Sequence, residues 1–269
     1  GLVFVVPASE AMSIKAIPAP EGVEAWLVED YTVPMIAMDF AFEGGAAQDP
    51  AGKPGVAAML SSLLDEGAGD MTSQAFQQAL DTRSISLSFD AGRDSFFGDV
   101  KMLAEDKDEA FDLLALALQK PRFDKEPVER IRAQILDGIK RDVTDPQTAA
   151  TLAICAHAFP DHPYGQPIDG TLDSVAAISN ADLDAYRKRV FARDGLKVAM
   201  VGAISPAEAS ALLARAFGPL PLKAELTPIP DTVPAAGVIA LDQPNPQTLT
   251  RFGGPGIAIA DAGGERDRR

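Results

Sequence analysis

The sequence predicts an α+β domain over residues 23–222. Three observations support this prediction. Strand-like apolar segments occur early in the chain, at residues 23–28 and 35–42, and again late, at residues 196–202. Between them lies helix-rich sequence with recognisable start and stop signals. The 269-residue chain is 46% hydrophobic, which is enough apolar material for a sizeable core.

The first predicted helix lies in "GVAAMLSSLLDEGAG" and ends at Gly67, and its two faces differ in an unusual way. An apolar stripe at helical spacing is formed by Val56, Ala57, Leu60, Leu63 and Leu64. A second face carries only three small residues, Ala58, Ser61 and Ser62. Exposed helix faces normally carry good helix formers such as Glu and Lys, so this face invites an explanation.

The next elements are a helix over residues 73–82, with Thr72 or Ser73 as its N-cap, and a β-hairpin. The hairpin strands are "SISLSFDA" and "DSFFGDVKML", with Gly92 in the turn. Serines alternate with apolar residues along the first of these strands. This alternation predicts a strand with one buried face.

Four further helices and one strand follow. Helices are predicted at residues 105–120, 124–143, 148–159 and 179–191, and the strand "LKVAMVG" comes next. The last helix of the domain begins at Ser205 with Pro206 and Glu208 in its first turn and ends before Gly218. The strands "MIAMDFAF" and "LKVAMVG" are predicted to lie inside the sheet, because both look apolar on both faces.

The C-terminal part of the chain is less regular. Residues 223–236 belong to a Pro-rich stretch that predicts an extended linker. The segment 237–269 begins with "GVIALD" and "QTLTRFGGPGIAIA", which are strand-like, and ends in the polar "DAGGERDRR". A lone strand pair is marginally stable, so this segment is expected to pack on the first domain, to pair with another chain or to be disordered beyond about Ala260. Of these outcomes we expect strand pairing or a dimer contact for residues 237–259 and disorder for "DAGGERDRR".

Composition restricts the class of partner and the location. The net charge of −15 argues against a nucleic-acid surface, and we expect no segment long enough to span a membrane. Residues 1–22 are interpreted as the remnant of a signal peptide plus an N-terminal extension, with small residues Ser9 and Ala11 before a cleavage point. This interpretation predicts a periplasmic or secreted protein.

The sequence contains no convincing motif for a metal site or for a nucleophilic active site. His157, His162, Cys155 and Asp161 are close in sequence, but their spacing does not place them on one helix face, so we interpret the histidines as a helix-end and a loop residue. Ser61 or Ser62 as a nucleophile would need a nearby base held by a third group, and the two histidines of the chain lie in unrelated segments, which argues against this role.

A family resemblance rests on several stretches in order: "GGAAQDPAGKPGVAAMLSSLLDEGAG", "SISLSFDAGRDSFFGDVKML", "RIRAQILDGIKRDVTDP", "HPYGQPIDGTLDSVAAISNADLDAYRKRVFARDGLKVAMVG" and "ALLARAFGPLP". Together they resemble the M16 peptidase family of pitrilysin, insulin-degrading enzyme and the mitochondrial processing peptidases. The resemblance implies a largely antiparallel sheet with helices packed on one face.

The resemblance also explains the small residues of the first helix. Active members carry H-x-x-E-H there, with the two histidines as zinc ligands and the Glu as general base. These positions fall on Ala58, Ser61 and Ser62, and the third ligand, a Glu on a later helix, falls on Gly138, next to Asp137. The resemblance therefore implies no catalytic residue, no cofactor-binding residue and no zinc in this chain.

The resemblance implies a non-catalytic partner of a zinc-bearing M16 subunit that binds peptides, with self-association as a further expectation. Two alternatives stay open: a zinc-dependent endopeptidase with an unrecognised site, and an interaction module without proteolysis. The family pattern continues into a second domain, so residues 237–269 are interpreted as the truncated start of one.

Overall fold

The computed structural model describes residues 13–242 and 248–254 of the chain. Within these residues six strands form one sheet in the order β1-β2-β6-β3-β5-β4. The strands are β1 Lys15–Ala16, β2 Glu24–Glu29, β3 Met35–Glu43, β4 Ser86–Ala91, β5 Ser95–Leu103 and β6 Lys197–Gly202. The sheet begins with β1, which lies inside the segment interpreted from the sequence as an N-terminal extension. Residues 1–12, which hold the proposed cleavage point, lie outside the described residues.

The sheet is largely antiparallel, as predicted. Only β2 and β6 run parallel to each other, while the other four neighbouring pairs are antiparallel. The hairpin of β4 and β5 turns at Gly92, whose N–H donates to Ser95 O at 2.9 Å. Strands β3 and β6 lie side by side in the interior of the sheet, so their predicted position is confirmed.

The reason given for that position is wrong. Burial alternates strictly along β3 and β6, so only one face of each strand is covered. The even-numbered residues of both strands point into the core, and Ala37, Ala199 and Val201 lie on the other, open face. The small apolar residues on the open face, such as Ala37 and Ala199, give both strands an apolar sequence although only one face is buried.

The described part of the chain contains eight α-helices. They are α1 Val56–Ser61, α2 Ser73–Thr82, α3 Lys107–Gln119, α4 Lys125–Thr144, α5 Pro146–Ala158, α6 Leu172–Ala177, α7 Asn180–Val190 and α8 Pro206–Phe217. Seven of them contribute buried side chains, whereas α5 contributes none and packs against α4. Phe40 and Phe42 of β3 join the layers, since the Phe42 ring stacks on Phe191 at 4.6 Å and the Phe40 ring meets Phe217 at 5.3 Å. Apolar rings thus fill the space between sheet and helices.

The predicted helix starts are well reproduced, whereas two helices differ from expectation. Ser179 and Ser205 each form a capping box with the acidic residue three positions later. The sequence did not predict α6, which Thr171 caps. Helix α1 ends at Ser61 and not at Gly67, because Leu63 N–H bonds to Leu60 O in a tighter turn at 3.0 Å.

The Pro-rich segment does not hang free between two units. Residues 221–235, which we call the strap, form no helix or strand and are hydrogen-bonded to the helical part of the domain. Glu225 N–H donates to Arg189 O and Ala235 N–H to Ala158 O, both at 2.8 Å. Backbone pairing therefore anchors the strap near both of its ends.

The predicted strand at "GVIALD" is wrong. Residues 237–242 are irregular and exposed, and Val238 is 98% exposed. Residues 248–254 of the second predicted strand are also irregular and exposed, and the other residues of the segment lie outside the described part. A strand needs a neighbouring strand for its backbone groups, and the edges of the sheet lie elsewhere.

Across residues 13–242 and 248–254, no helix has both the length and the apolar character that crossing a bilayer requires.

Candidate functional site

The start of α1 is held by a single carboxylate. Asp49 accepts the N–H of Gly55 through Oδ2 at 2.7 Å and the N–H of Ala57 through Oδ1 at 2.8 Å. Gly55 has a φ of 100°, which an L side chain rarely adopts. Asp49 thereby satisfies N–H groups that the first turn of a helix leaves without partners.

Burial raises the pKa of the Asp49 carboxyl to about 7, although the hydrogen bonds from the α1 backbone act in the opposite direction. The nearby Tyr186 is also buried, and burial raises the pKa of its phenol. Its hydroxyl donates to Gly45 O at 2.7 Å. The carboxylate and the phenol fix the loop before α1 on α7.

Two further contacts hold the same loop. Lys53 Nζ lies 2.7 Å from Asp182 Oδ2 at the start of α7. Ser174 Oγ, from α6, donates to Pro54 O at 2.7 Å. The helix that carries the family motif positions is therefore held in place by contacts between its preceding loop and two helices, α6 and α7.

The three motif positions on this helix lie within about one turn, and their side chains are a methyl group and two hydroxyls that donate hydrogen bonds within the helix. Ala58 and Ser61 are buried, and Ser62 is exposed at the C-cap. Ser61 Oγ donates to Ala58 O at 2.8 Å, and Ser62 Oγ donates to the same oxygen at 3.2 Å. Both hydroxyls thus close the end of their own helix, and neither hydroxyl contacts a base among the described residues.

The fourth position, Gly138, lies in α4, which packs against α1. A Cβ added to Gly138 would meet only Arg141 Nη2, at 3.8 Å, so a β-carbon fits at this position without a clash. The neighbouring Asp137 points to solvent, where its carboxylate pairs with Lys140 Nζ at 3.1 Å. The structure brings α1 and α4 together but places no ligand side chain at the four motif positions.

These residues do not fit a zinc ion. Zinc in proteins is bound by imidazole, thiolate or carboxylate, whereas these positions hold a methyl group, two internally bonded hydroxyls and a glycine. No group of three or more His, Cys, Asp or Glu residues that could hold a metal is present in the part of the chain that the structure describes. The absence of zinc from the protein itself stays a prediction.

The two histidines have structural surroundings, as interpreted from the sequence. His157 is exposed in the last turn of α5, next to Gly237. His162 is buried, with Nδ1 accepting Tyr164 N–H at 3.1 Å and Nε2 at 2.9 Å from Pro230 O. Both ring nitrogens of His162 are therefore engaged by the backbone, and the second contact ties the strap to the domain.

Sequence reasoning missed the polar cluster that holds the middle of the strap. Gln48 is buried, and its side chain bonds Thr227 twice, donating to the carbonyl at 2.9 Å and accepting the N–H at 2.8 Å. Arg189 donates to Gln48 Oε1 at 3.0 Å and to Glu225 O at 3.1 Å. Gln48 lies 179 residues from Thr227 and 141 residues from Arg189 in sequence, so no local pattern signals these contacts.

The fold and the site together define a class: an α+β domain whose first helix is held in place by its neighbours and carries no metal ligand at the positions of the family motif. The chain belongs to peptidase family M16. The profile of that family, described as Insulinase (Peptidase family M16), matches residues 27–172, which is more than half of the chain.

Relatives of this chain include proteins named as inactive and as subunits. The chain is 26% identical over 228 residues to the non-peptidase homolog YmxG of Helicobacter pylori, covering 84% of this chain and 53% of the relative. It is 25% identical to the mitochondrial-processing peptidase subunit beta of Blastocladiella emersonii, covering 66% of this chain and 38% of the relative.

A solved structure agrees with these matches. The crystal structure of a peptidase M16 inactive domain from Pseudomonas fluorescens superposes with a TM-score of 0.76 at 26% identity, covering 83% of this chain and 54% of that one. The chain thus spans about half the length, or less, of the relatives it matches. The findings support a catalytically inactive M16-like protein.

Proposed function

We propose that this chain is the non-catalytic partner of a zinc-bearing M16 peptidase subunit and takes part in peptide binding and degradation. The observation that carries the proposal is the contrast at α1. The contacts of Asp49, Lys53 and Ser174 hold the helix in place, while Ala58, Ser61, Ser62 and Gly138 offer no ligand to zinc. A helix that is held firmly in place but lacks zinc ligands is consistent with a protein that binds peptides and does not cleave them.

The names of two relatives support the two halves of this proposal. YmxG is called a non-peptidase homolog, and the Blastocladiella protein is called a subunit of a processing peptidase. The N-terminal sequence supports a periplasmic or secreted location for the assembly, and residues 237–269 are proposed to begin a second domain of the same kind.

The sheet offers a place for an extended peptide next to α1. Strand β4 is at the end of the sheet, and its outer edge pairs with no strand among the described residues. Helix α1 packs against β4. A peptide added to β4 as a further strand would gain backbone hydrogen bonds and would lie close to the altered motif positions.

The test measures metal and turnover separately. We expect the purified chain to bind no stoichiometric zinc and to leave a fluorogenic peptide intact. Adding it to an M16 subunit with an intact H-x-x-E-H from the same source should raise that subunit's turnover. The control adds an equal concentration of the chain after thermal unfolding.

Each alternative has its own outcome in this test. Stoichiometric zinc and cleavage by the chain alone would contradict the proposal and favour a peptidase with an unrecognised site. Unchanged turnover despite co-purification would favour an interaction module. The Ala58→His, Ser61→Glu, Ser62→His and Gly138→Glu variant shows whether ligands alone restore zinc binding.

A further inference from the structure

The strap and the start of α1 are attached to the same short turn of the chain. This turn, Gly45–Gln48, is a 3-10 helix whose four residues are all buried. The Gln48 side chain holds the strap through Thr227, and the next residue, Asp49, accepts two N–H groups at the start of α1. Two neighbouring residues therefore connect the strap to the helix that carries the motif positions.

The first part of this turn is fixed by other elements. Three N–H groups of residues 44–47 each donate at 2.8 Å to a carbonyl oxygen of the β4–β5 hairpin, in residues 92–94. Tyr186 of α7 donates to a carbonyl oxygen of the same turn at 2.7 Å. Rearrangement is therefore easiest at Gln48 and Asp49, which lie between the fixed turn and the loop that leads into α1.

The Gln48 amide depends on the strap for most of its hydrogen bonds. Among the described residues its side chain makes two bonds to Thr227 and one to Arg189. A buried amide that loses its partners costs free energy, so the Gln48 side chain turns toward water when the strap is lifted. This movement displaces Asp49, because Asp49 is the next residue in the chain.

Arg189 increases this dependence on the strap. In the part of the chain that the structure describes, its guanidinium has no carboxylate partner and donates to four oxygens, two from Gln48 and two from the strap. The strap oxygens are Glu225 O at 3.1 Å and Thr227 Oγ1 at 3.4 Å. Lifting the strap therefore removes half of the acceptors of a charged group, whose hydrogen bonds are stronger than neutral ones.

We propose that the strap controls the start of helix α1. With the strap in place, Gln48 stays buried and Asp49 closes the first turn of α1. With the strap lifted at Thr227, Asp49 shifts and the first turn of α1 opens. The coupling is reciprocal, so a firmly held α1 also keeps the strap in place. A partner that draws the strap away would change the mobility of the helix that carries the motif positions. The inference does not depend on the proposed function.

Amide hydrogen exchange of the full chain tests the coupling from the side of the strap. Thr227→Pro removes, at an exposed position, the N–H that donates to Gln48. We expect exchange at the Gly55 and Ala57 amides to become at least roughly threefold faster. The amides of residues 46–47 should exchange as before, because the hairpin holds them. Their unchanged rates separate this effect from a general loss of stability.

The matched control is Thr232→Pro in the same strap. Thr232 is also exposed, and its N–H donates to no group among residues 13–242 and 248–254. Exchange at the start of α1 should therefore stay the same in this variant. If Thr227→Pro does not fold, Gln48→Met removes the same two bonds from the other partner and carries the same expectation.

The reverse direction is measured at the Thr227 amide. Asp49→Ala removes the acceptor of the first turn of α1 and should speed exchange at Thr227. The Ala235 amide should stay slow, since a separate contact holds it. Asp145→Ala is the control, because Asp145 caps α5 by accepting an N–H in the same way. It should leave exchange at Thr227 unchanged.

A double variant shows whether Asp49 transmits the effect. In the Asp49→Ala background, Thr227→Pro should cause no further change at the Ala57 amide, because the bond that transmits the effect is already gone. The inference is overturned if Thr227→Pro leaves exchange at the start of α1 unchanged, or if Thr232→Pro changes it equally. It is also overturned if Asp49→Ala leaves the Thr227 amide unchanged, or if Thr227→Pro still acts at Ala57 in the double variant.

Discussion

Gly98 and Phe40 face each other across β5 and β3, and this pair shows how tightly the core is filled. A Cβ on Gly98 would lie 2.2 Å from Cζ of the Phe40 ring, which itself packs on Phe217 and Phe42. The ring cannot move without disturbing its aromatic neighbours. The glycine is therefore required by space, not by an unusual backbone angle.

We expect Gly98→Ala to lower the free energy of unfolding by about 1–3 kcal/mol, because it overfills the core. Gly138→Ala is the matched control, since its Cβ would meet only Arg141 Nη2 at 3.8 Å inside helix α4. That change should raise stability by about 0.5–1 kcal/mol. Urea unfolding of both variants checks the pair, and equal effects would contradict this account.

The second prediction at this scale concerns Asp49 and pH. Burial raises its pKa to about 7, against about 3.9 for an unfolded Asp, so the folded chain holds the proton over this range. The stabilisation that comes from this raised pKa is complete below about pH 4 and is lost as the pH rises through about 7, where the buried carboxyl ionises. The stability of the original chain minus that of Asp49→Asn should therefore fall between pH 4 and 8.

The control for Asp49 is Ser174→Ala, which removes a hydrogen bond of the same loop that does not titrate. Its effect on stability should be the same across this pH range. A flat difference for Asp49→Asn would show that hydrogen bonds from Gly55 and Ala57 keep the carboxylate ionised throughout.

Among the elements, the strap depends most on distant contacts. Its middle is held by the Gln48 side chain, which is 4% exposed, and its end by Ala158 O. These two anchors use different partners. Loss of one anchor therefore need not release the other.

We expect Gln48→Ala to speed hydrogen exchange at the Thr227 amide roughly tenfold, because its acceptor at 2.8 Å is gone. Exchange at the Ala235 amide should stay slow, since it bonds to Ala158 O. Gln77→Ala, which removes a side-chain bond to Asp65 O elsewhere, serves as the control. Equal acceleration at Thr227 and Ala235 would mean that the strap opens as one unit.

For the whole molecule, the exposed C-terminal segment raises the question of association. Val238 and Phe252 are 98% and 95% exposed, and residues 237–242 have no strand partner in the described structure. We still expect residues 237–259 to pair with another chain, because a segment with exposed apolar side chains and unpaired backbone N–H and C=O groups favours strand pairing. Amide protection there should then increase with protein concentration.

Hydrogen exchange at a series of dilutions checks this expectation. Protection that persists unchanged well below micromolar concentration would exclude pairing between chains. The strap amides of Glu225 and Thr227 provide an internal reference, since their partners lie within the same chain.

Much of the fold followed from local sequence patterns, because those patterns act over a few residues. Serine alternation placed the buried face of β4, and the Ser179 and Ser205 boxes placed the starts of α7 and α8. The sequence also predicted that ligand side chains are absent, because the family resemblance located the motif positions at Ala58, Ser61, Ser62 and Gly138.

Only the tertiary structure decided what each exposed apolar segment meets. Small residues on β3 and β6 suggested two buried faces, yet the helices cover one face only. The end of α1 at Ser61, the irregular backbone at 237–242 and the Gln48 anchor of the strap depend on partners far away in sequence. Sequence periodicity records which side of an element is apolar, whereas the packing of distant elements determines whether that side is covered.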